Sequence, residues 1–467
     1  METTAASSPP APIERAARTT PAWFDEAKLG VMIVWTPASV PAFAPLFPTT
    51  EEWEAMSEEE AGTLLQDRLP FAEMYLNQLH IPTSAVAAHH AETYGDRPYA
   101  DFVAEFLAGL HRWDPEAWAD LFARAGFRYV VLTVKHQDGF LLWPSAAPNP
   151  GKPGWQSERD IPGELAAAVR ARGLKFGVLY SSGLDFTVIE PPAPDFEEVP
   201  PGIADNADYA RTLDTHWREL IDRYRPSVLW NDAGFPAAAS PETLIDYYRT
   251  QVPDGVVNDR FGPEAAGSEE EWSDFATLEY QRAYASEAPA GRKWESCRGF
   301  GSSFGYNRAE PDANYLDDHA LIEEFVDCVA RGGNFLPAVG PTPSGEIPWA
   351  QVKRLLTLGW WLERNGTAIY GTRPWLQPAG STECGRDVRY TATDAAVHAI
   401  VLGAPTEARV RLELIIEPGA VITATGGDEP LAWRQEPAGV VINLPGVPDA
   451  GPSLALTITP AAAVRPA

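Results

Sequence analysis

Short apolar runs alternate with amphipathic helical segments from residue 21 to about residue 366. The clearest repeat begins with WDPEAWADLFARAG, where Asp114 is a candidate helix N-cap, Pro115 suits the first turn, and apolar residues recur at helical spacing. The next segment, FRYVVLTVKHQDGF, is typical of a buried strand and its exit loop. Because the same order recurs before LKFGVLYSS, SVLWNDAGF and VVNDRFG, the pattern predicts parallel strands joined by crossover helices.

The pattern changes after Gly366. Short alternating runs such as VRYTAT, ARVRLELII and LALTITP, separated by Gly, Pro and Asp, are typical of antiparallel strands. We therefore predict an α/β fold: a (β/α)8-like TIM barrel over residues 21–366, followed by a C-terminal antiparallel β-sandwich over residues 367–467. Residues 1–20 are rich in Ala, Ser, Pro and Thr and are predicted to be a disordered lead-in.

Polar side chains are concentrated at the carboxyl ends of the predicted barrel strands. These residues are His136, Gln137, Tyr180, Asp232 and Arg260. Active sites of such barrels are assembled from strand ends and the loops that follow them. We therefore expect all five side chains to point into one mouth.

The charge balance restricts the classes of partner. Lys and Arg number 36 against 65 Asp and Glu, a formal net charge of -29. Such a surface repels phosphate backbones and anionic lipids, so neither nucleic acid nor a membrane is expected as a partner. The 16 Trp exceed what packing alone demands, and an aromatic-lined sugar cleft would use them.

Cysteine spacing, the glycine-rich segment and the composition of the N-terminus argue against disulfide-rich, metal-binding, nucleotide-binding and secreted proteins. Cys297, Cys328 and Cys384 form no CxxC pair and no metal-ligand spacing with a His, so no disulfide framework or metal site is expected. The Gly-rich GGNFLPAVGP lacks the context of a nucleotide-binding loop, and no cofactor is predicted. The N-terminus has Pro and charges where a signal peptide needs an apolar core, and no later run reaches ~18 apolar residues. We therefore expect a cytoplasmic protein of undetermined oligomeric state.

Ten motifs follow one another along the chain: WFDEAKLGVMIVWTPASVPA, EEWEAM, LTVKHQDGF, GVLYSS, RPSVLWNDAGF, VVNDR, SDFATLEY, KWESC, SSFGYN and VARGGNFLPAVGPTPSGEIP. In this order they resemble the α-L-fucosidases, glycoside hydrolase family 29, over nearly the whole chain. Each motif alone is weak, but ten in order are specific. The resemblance implies a retaining exo-glycosidase that hydrolyses small α-L-fucosides or related glycosides and oligosaccharides by double displacement, a chemistry that needs no metal.

Retaining hydrolysis requires a nucleophilic carboxylate and a second carboxylic acid ~5 Å away. Asp232 ends an apolar strand beside Trp230, and the resemblance implies that it is the nucleophile; an N-cap or loop Asp is the alternative. For the acid/base, the resemblance favours Glu279 in SDFATLEYQ, and Glu295 in KWESC is the rival. A solvated surface Glu is the alternative for both.

The resemblance also implies a set of residues that contact the sugar. They are Val34, Trp35, Glu52, Trp53, His136, Gln137, Tyr180, Trp230, Arg260 and Phe304. Core packing is the alternative for the aromatic side chains, and pairing with the neighbouring Asp259 is the alternative for Arg260. Phe304 would face the C6 methyl or hydroxymethyl group of the sugar.

Two positions depart from the family's pattern. The family's "HWG" is Val34-Trp35-Thr36 here, and the second His of "KHH" is Gln137. In the family the first of these histidines holds the axial 4-hydroxyl group of fucose, so the resemblance implies an altered sugar pocket. An α-L-glucosidase, whose sugar has an equatorial 4-hydroxyl group, is the alternative specificity. A non-catalytic sugar-binding homologue is the alternative of another class, and the presence of Asp232 and both candidate acids argues against it.

Overall fold

The computed structural model describes residues 19–46, 68–193, 199–262, 272–280, 291–405, 407–444 and 451–467. Residues 1–18 of the predicted lead-in lie outside these ranges. Glu52 and Trp53, which the sequence predicts to contact the sugar, also lie outside them.

Within the described ranges, eight parallel strands form the N-terminal sheet: β1 (Gly30–Ile33), β2 (Tyr129–Lys135), β3 (Lys175–Ser181), β4 (Val228–Asp232), β5 (Val256–Val257), β6 (Ala276–Glu279), β7 (Trp294–Gly299) and β8 (Gly333–Val339). Their order is β5-β4-β3-β2-β1-β8-β7-β6. A parallel bridge between Asn258, next to β5, and Phe275, next to β6, joins the two end strands. The sheet therefore closes into the TIM barrel that the sequence predicts.

Helices of the described residues separate and surround these strands: α1 (Ala22–Ala27), α2 (Tyr75–Leu79), α3 (Ala85–Tyr94), α4 (Tyr99–Leu110), α5 (Pro115–Arg124), α6 (Ile161–Ala171), α7 (Pro201–Ala204), α8 (Ala207–Tyr224), α9 (Pro241–Gln251), α10 (Asp318–Ala330) and α11 (Trp349–Asn365). The predicted cap of α5 is confirmed, because Asp114 accepts hydrogen bonds from the backbone N–H groups of Glu116 and Ala117. None of these helices combines the length and the apolarity that a membrane span requires.

Side chains of the barrel strands alternate between two apolar layers, as the pleat of a strand requires. Inward-facing residues form one cluster inside the barrel: Met32, Val34, Tyr129, Val131, Leu179, Val228, Trp230, Cys297 and Leu336. Their outward-facing neighbours belong to the larger cluster between the barrel and its helices: Val31, Ile33, Trp35, Val130, Leu132, Val178, Tyr180 and Leu229. Only the inward layer reaches the barrel mouth, so this alternation decides which side chains line a site there.

The C-terminal part of the chain is built of antiparallel strands: β9 (Arg373–Ser381), β10 (Asp387–Ala392), β11 (Val397–Leu402), β12 (Arg409–Leu412), β13 (Leu414–Ile416), β14 (Val421–Ala424), β15 (Trp433–Glu436), β16 (Gly439–Asn443), β17 (Ser453–Thr459) and β18 (Val464–Pro466). A sheet of order β14-β17-β11-β10-β9 packs with a smaller β12-β16-β15 sheet around a separate apolar core, and β13 pairs with β18. The predicted antiparallel sandwich is confirmed. The proposed domain limits, 21–366 and 367–467, stay predictions.

Candidate active site

A cavity of about 420 Å³ lies at the carboxyl ends of the barrel strands. Inward-facing strand residues and strand-exit residues form most of its wall, and the segment from Leu69 to Met74 contributes to it as well. Six predicted sugar-contacting residues line it: Val34, His136, Gln137, Trp230, Arg260 and Phe304. The candidate catalytic residues Asp232 and Glu279 line it too. The barrel mouth therefore brings together most of the polar residues that the sequence places at strand ends.

Two donors orient the carboxylate of Asp232, the last residue of β4. Arg260 Nη1 donates to Asp232 Oδ1 at 3.1 Å, and Gln137 Nε2 donates to Oδ2 at 3.5 Å. The Asp232 side chain is 16% exposed, so part of the carboxylate remains open to the cavity. A carboxylate that is fixed by two donors and open on one side is suitably placed to attack an electrophilic carbon.

Arg260 connects this carboxylate to a second one. The same Nη1 atom lies 2.7 Å from Glu279 Oε1, at the end of β6. Two oxygens bound to one nitrogen are within about 6 Å of each other. Retaining glycosidases hold their two carboxyl groups ~5–5.5 Å apart, whereas inverting enzymes hold them ~6.5–9.5 Å apart. The limit for Asp232 and Glu279 lies below the inverting range, which favours a retaining mechanism.

The guanidinium of Arg260 is buried and lies over the ring of Trp230, with Cζ 4.9 Å from the ring centroid. Burial opposes its charge, but Glu279 and Asp232 overcome this effect and keep the pKa of Arg260 above its usual value. Arg260 therefore remains a cation that holds both carboxylates in place. The neighbouring Asp259 accepts a hydrogen bond from the backbone N–H of Thr277. Arg260 forms its ion pairs with Asp232 and Glu279 instead.

Several buried polar atoms of the cavity have no protein partner among the described residues. They are Thr133 Oγ1, His136 Nδ1, Gln137 Oε1 and Arg260 Nε. Burial lowers the pKa of His136 to about 4, so its imidazole is neutral near pH 7 and offers one donor and one acceptor. Buried polar atoms in native structures nearly always have a partner. The residues that carry these atoms line the cavity.

Comparison with known proteins agrees with this geometry. The family model described as α-L-fucosidase matches residues 2–367 of the chain. The chain belongs to the α-L-fucosidase family. Mouse tissue α-L-fucosidase is 32% identical over 448 residues, which cover 92% of this chain and 89% of that protein. The chain is accordingly a glycoside hydrolase.

Solved structures of α-fucosidases match the fold over almost the whole chain. One α-L-fucosidase superposes with a TM-score of 0.83 at 36% identity, covering 94% of this chain and 97% of the other. The Thermotoga maritima α-fucosidase in complex with fucose superposes with a TM-score of 0.79 at 35% identity, with the same coverage. The barrel and the sandwich of the family are therefore both present here.

Trp35 and Tyr180, which the sequence predicts to contact the sugar, do not line the cavity. Trp35 packs against Phe106, Trp113 and Trp118 on the helix side of the barrel and donates from Nε1 to the carbonyl of Thr342 at 2.8 Å. The Tyr180 hydroxyl lies 2.8 Å from Nδ1 of His216 on α8. The physical reason is strand alternation. Val34 and Leu179, each one residue earlier, face inward in place of Trp35 and Tyr180.

Glu295, the rival acid/base candidate, lies deep inside the barrel. It is the second residue of β7 and is fully buried, and it does not line the cavity. Its Oε2 accepts from the Tyr129 hydroxyl, and its Oε1 accepts from Trp230 Nε1 at 3.1 Å. Both oxygens are thus engaged below the site, and burial raises the pKa of Glu295 to about 7.

Glu73 is a carboxylate of the site that the sequence analysis missed. It lines the cavity from the short segment before α2, is 6% exposed, and accepts from Gly305 N at 2.8 Å and Ser303 Oγ at 3.2 Å. Burial raises its pKa to about 7, and the charge of Glu279 adds to this effect. The signal that would have found it is a single acidic residue within the apolar run LPFAEMYL.

Phe304 lies on the side of the cavity near β6 and β7. Its half-buried ring packs against Tyr280 at 4.9 Å and Phe71 at 5.7 Å between centroids. Aromatic rings therefore form this side of the cavity wall. Among the described residues, no group of three His, Cys, Asp or Glu side chains is arranged to hold a metal ion.

Proposed function

We propose that this chain is a retaining exo-glycosidase that hydrolyses α-L-fucosides or closely related α-L-glycosides. The observation that carries the proposal is the single Arg260 nitrogen that binds Asp232 and Glu279 together at the barrel mouth. It keeps the two carboxylates closer together than the separation used by inverting enzymes, which supports a retaining mechanism. The similarity to α-fucosidases, one of them in complex with fucose, supports an α-L-fucoside-like substrate.

In the proposed first step, an Asp232 oxygen attacks the anomeric carbon while Glu279 donates its proton to the leaving oxygen. The glycosidic bond breaks and a glycosyl ester of Asp232 forms. In the second step, Glu279 accepts a proton from water, and the resulting hydroxide oxygen displaces Asp232. The sugar leaves with its original anomeric configuration, and Glu279 is protonated again for the next cycle.

We further propose that His136, Gln137, Arg260 and Glu73 form hydrogen bonds to the sugar hydroxyl groups. The position of all four residues in the cavity wall, next to Asp232 and Glu279, supports this role. The ring of Trp230 would stack on the apolar face of the sugar. Phe304 would contact the substituent at C5.

A second specificity, α-L-glucoside hydrolysis, is supported by Val34, whose side chain forms part of the wall of the cavity. An apolar residue there leaves an axial 4-hydroxyl group without a partner, at a cost of ~1–3 kcal/mol. An equatorial 4-hydroxyl group avoids part of this cost. A panel of aryl α-L-glycosides of fucose, glucose, galactose and rhamnose separates these specificities.

The mechanism is tested by following the first product by proton NMR. A retaining enzyme releases the α-anomer of the sugar before mutarotation, and Asp232→Gly is expected to lose at least ~10⁴-fold in kcat because no ester can form. Azide should restore part of the activity toward activated aryl glycosides in this variant. A first product of β configuration, or a variant within tenfold of the wild-type rate, would contradict the proposal.

A further inference from the structure

The strand that carries the proposed acid/base ends in a left-handed turn. β6 ends at Glu279, and the next residue, Tyr280, has a positive φ of 49°. A residue with a bulky side chain seldom adopts this region, because its Cβ meets the following carbonyl oxygen. Such a conformation persists only where the surrounding structure fixes it, and it is concentrated at functional sites. The contacts of the Tyr280 side chain show what fixes it here.

The hydroxyl group of Tyr280 is bound in both directions by the end of β7 and the loop after it. It accepts a hydrogen bond from Gly299 N at 3.0 Å and donates to Ser302 O at 2.8 Å. The backbone N–H of Tyr280 also donates to Cys297 O at 3.2 Å. In a continued parallel ladder, the N–H of Gly299 would bond a backbone carbonyl of β6. The hydroxyl oxygen therefore takes the place of the ladder where β6 ends.

The loop that receives this hydroxyl group has its own fixed contacts. Ser302 N donates to Glu310 Oε1 at 2.6 Å, and Arg298 Nε donates to Gly299 O at 3.0 Å. The guanidinium of Arg298 also forms an ion pair with the buried Glu324 at 2.7 Å. The hydroxyl group is thus attached to a part of the barrel mouth that is held from several sides.

The ring of Tyr280 has a separate role behind the cavity wall. Its centroid lies 4.9 Å from that of Phe304 and 5.9 Å from that of Phe71, and both of these residues line the cavity. Tyr280 itself does not line the cavity. A phenylalanine at position 280 would keep these ring contacts and remove only the two hydrogen bonds of the hydroxyl group.

The carboxyl group of Glu279 depends on the position of its strand end. Its side chain is 33% exposed, and Oε1 forms the ion pair with Arg260 at 2.7 Å. An ion pair at one oxygen does not by itself fix the direction of a carboxyl group that is partly open to solvent. The backbone at the end of β6 must therefore supply the rest of its orientation.

We infer that Tyr280 is a positioning residue for the proposed acid/base. Its hydroxyl group holds the end of β6 against the loop after β7 and thereby directs the carboxyl group of Glu279 toward the leaving oxygen. This inference rests on the proposed function, because that function makes Glu279 the acid/base. Displacement of a catalytic group by ~1 Å can slow a reaction ~10²-fold, so loss of this attachment should be measurable.

The experiment compares methyl α-L-fucoside with 2,4-dinitrophenyl α-L-fucoside. Tyr280→Phe should lower kcat/KM for the methyl glycoside about tenfold or more, a part of the ~10²–10⁴-fold that a general acid contributes. For the dinitrophenyl glycoside the loss should stay within about threefold, because dinitrophenolate leaves without a proton. A purely structural role of Tyr280 would lower both values equally, and that result overturns the inference.

The Glu279→Gln background tests whether Tyr280 acts through Glu279. Adding Tyr280→Phe to Glu279→Gln should change kcat/KM for the methyl glycoside by less than about twofold, because the two residues form one unit. A further loss as large as in the single variant overturns the inference and leaves the acid/base assignment intact. If Glu279→Gln itself slows both glycosides equally, the assignment of the acid/base in the proposed function fails, and the inference fails with it.

Tyr248→Phe on α9 is the matched control. The Tyr248 hydroxyl donates to Pro226 O at 2.8 Å, and this buried residue does not line the cavity. The control should leave the ratio of the two kcat/KM values at the wild-type value.

If Tyr280→Phe does not fold, 4-aminophenylalanine at position 280 replaces it. This residue keeps the ring and a donor to Ser302 but is a much weaker acceptor for Gly299 N. The ratio of the two kcat/KM values should then change at least ~threefold against the methyl glycoside. An unchanged ratio in this folded variant overturns the inference.

Discussion

Glu279 and Glu295, the two candidate acid/base residues, both lie on barrel strands but have different environments in the structure. Glu279 ends β6 at the cavity and binds Arg260, whereas Glu295 is enclosed below the cavity by Tyr129 and Trp230. Depth along the strand explains the difference, because only strand ends reach the mouth of a packed barrel. The proposed acid/base is therefore Glu279.

This assignment predicts a dependence on the leaving group. Glu279→Gln should slow hydrolysis of alkyl or sugar aglycones by about 10²-fold or more, but slow nitrophenyl glycosides much less, because nitrophenolate leaves without a proton. Steady-state rates on both substrate types check this. Glu295→Gln serves as the comparison and should show no such difference between leaving groups. If the leaving-group effect appears in Glu295→Gln and not in Glu279→Gln, the two roles must be exchanged.

Glu295 should also make stability depend on pH. Its pKa is raised by burial from 4.5 to about 7. Between these values the folded protein keeps a proton that the unfolded chain releases, so the free energy of unfolding decreases as the pH rises from about 4.5 to about 7. In Glu295→Gln this decrease should be shallower, as measured by denaturant unfolding across that range. Glu323→Gln, at an exposed position on α10, should leave the slope unchanged. An equal slope in the wild type and Glu295→Gln would refute this account.

At the scale of single elements, successive side chains of β3 point to opposite sides of the strand. One side lines the cavity and the other packs against helices. Leu179 faces the cavity, and Tyr180 faces α8, where its hydroxyl meets His216. The register between β3 and β4 sets this orientation, because Leu179 pairs with Trp230 and Ser181 pairs with Asp232. The outward side of β3 therefore contributes stability rather than substrate contacts.

Tyr180→Phe is expected to lower the free energy of unfolding by about 1 kcal/mol through loss of one buried hydrogen bond. Its kcat/KM should stay within about twofold of the wild type, because Tyr180 does not line the cavity. Leu179→Ala, one residue earlier, should instead raise KM for the same glycoside. Urea unfolding and steady-state kinetics measure the two effects. If the Tyr180→Phe enzyme instead has normal stability and a strongly raised KM, Tyr180 contacts the sugar as the sequence predicts.

At the scale of the whole molecule, the sandwich has its own apolar core, but three of its residues pack in the apolar cluster of the barrel. Ile400 and Leu402 on β11 and Ala455 on β17 belong to the same cluster as the outer face of the barrel strands. Trp361 on α11 also donates from Nε1 to Ser453 Oγ at 2.7 Å. The two parts of the chain are therefore expected to lose their structure together.

Ile400→Ala tests this coupling from the sandwich side. The residue is fully buried, so its truncation should cost about 2–5 kcal/mol and lower the temperature at which hydrolytic activity is lost. Val421→Ala, at a 42% exposed position on β14, should change stability by less than about 0.5 kcal/mol. Thermal inactivation and circular dichroism follow both proteins. Activity that survives to the wild-type temperature in Ile400→Ala would show that the barrel is stable without the contact.

The sequence by itself determined the order of the elements and the location of the site. Alternating apolar runs and helical segments specify a parallel barrel, and the carboxyl ends of parallel strands meet at one mouth, so Asp232, Arg260 and His136 could be placed together. The cap of α5 by Asp114 was also predictable, since it depends on residues only two and three positions away.

Only the tertiary structure decided which side chains enter the cavity. A shift of one residue along a strand moves a side chain to the opposite face, and this separates Val34 from Trp35 and Leu179 from Tyr180. Glu73 reaches the site from a segment more than two hundred residues from its partners Ser303 and Gly305. No local pattern encodes such contacts, because they depend on how the closed barrel brings distant loops together above its strand ends.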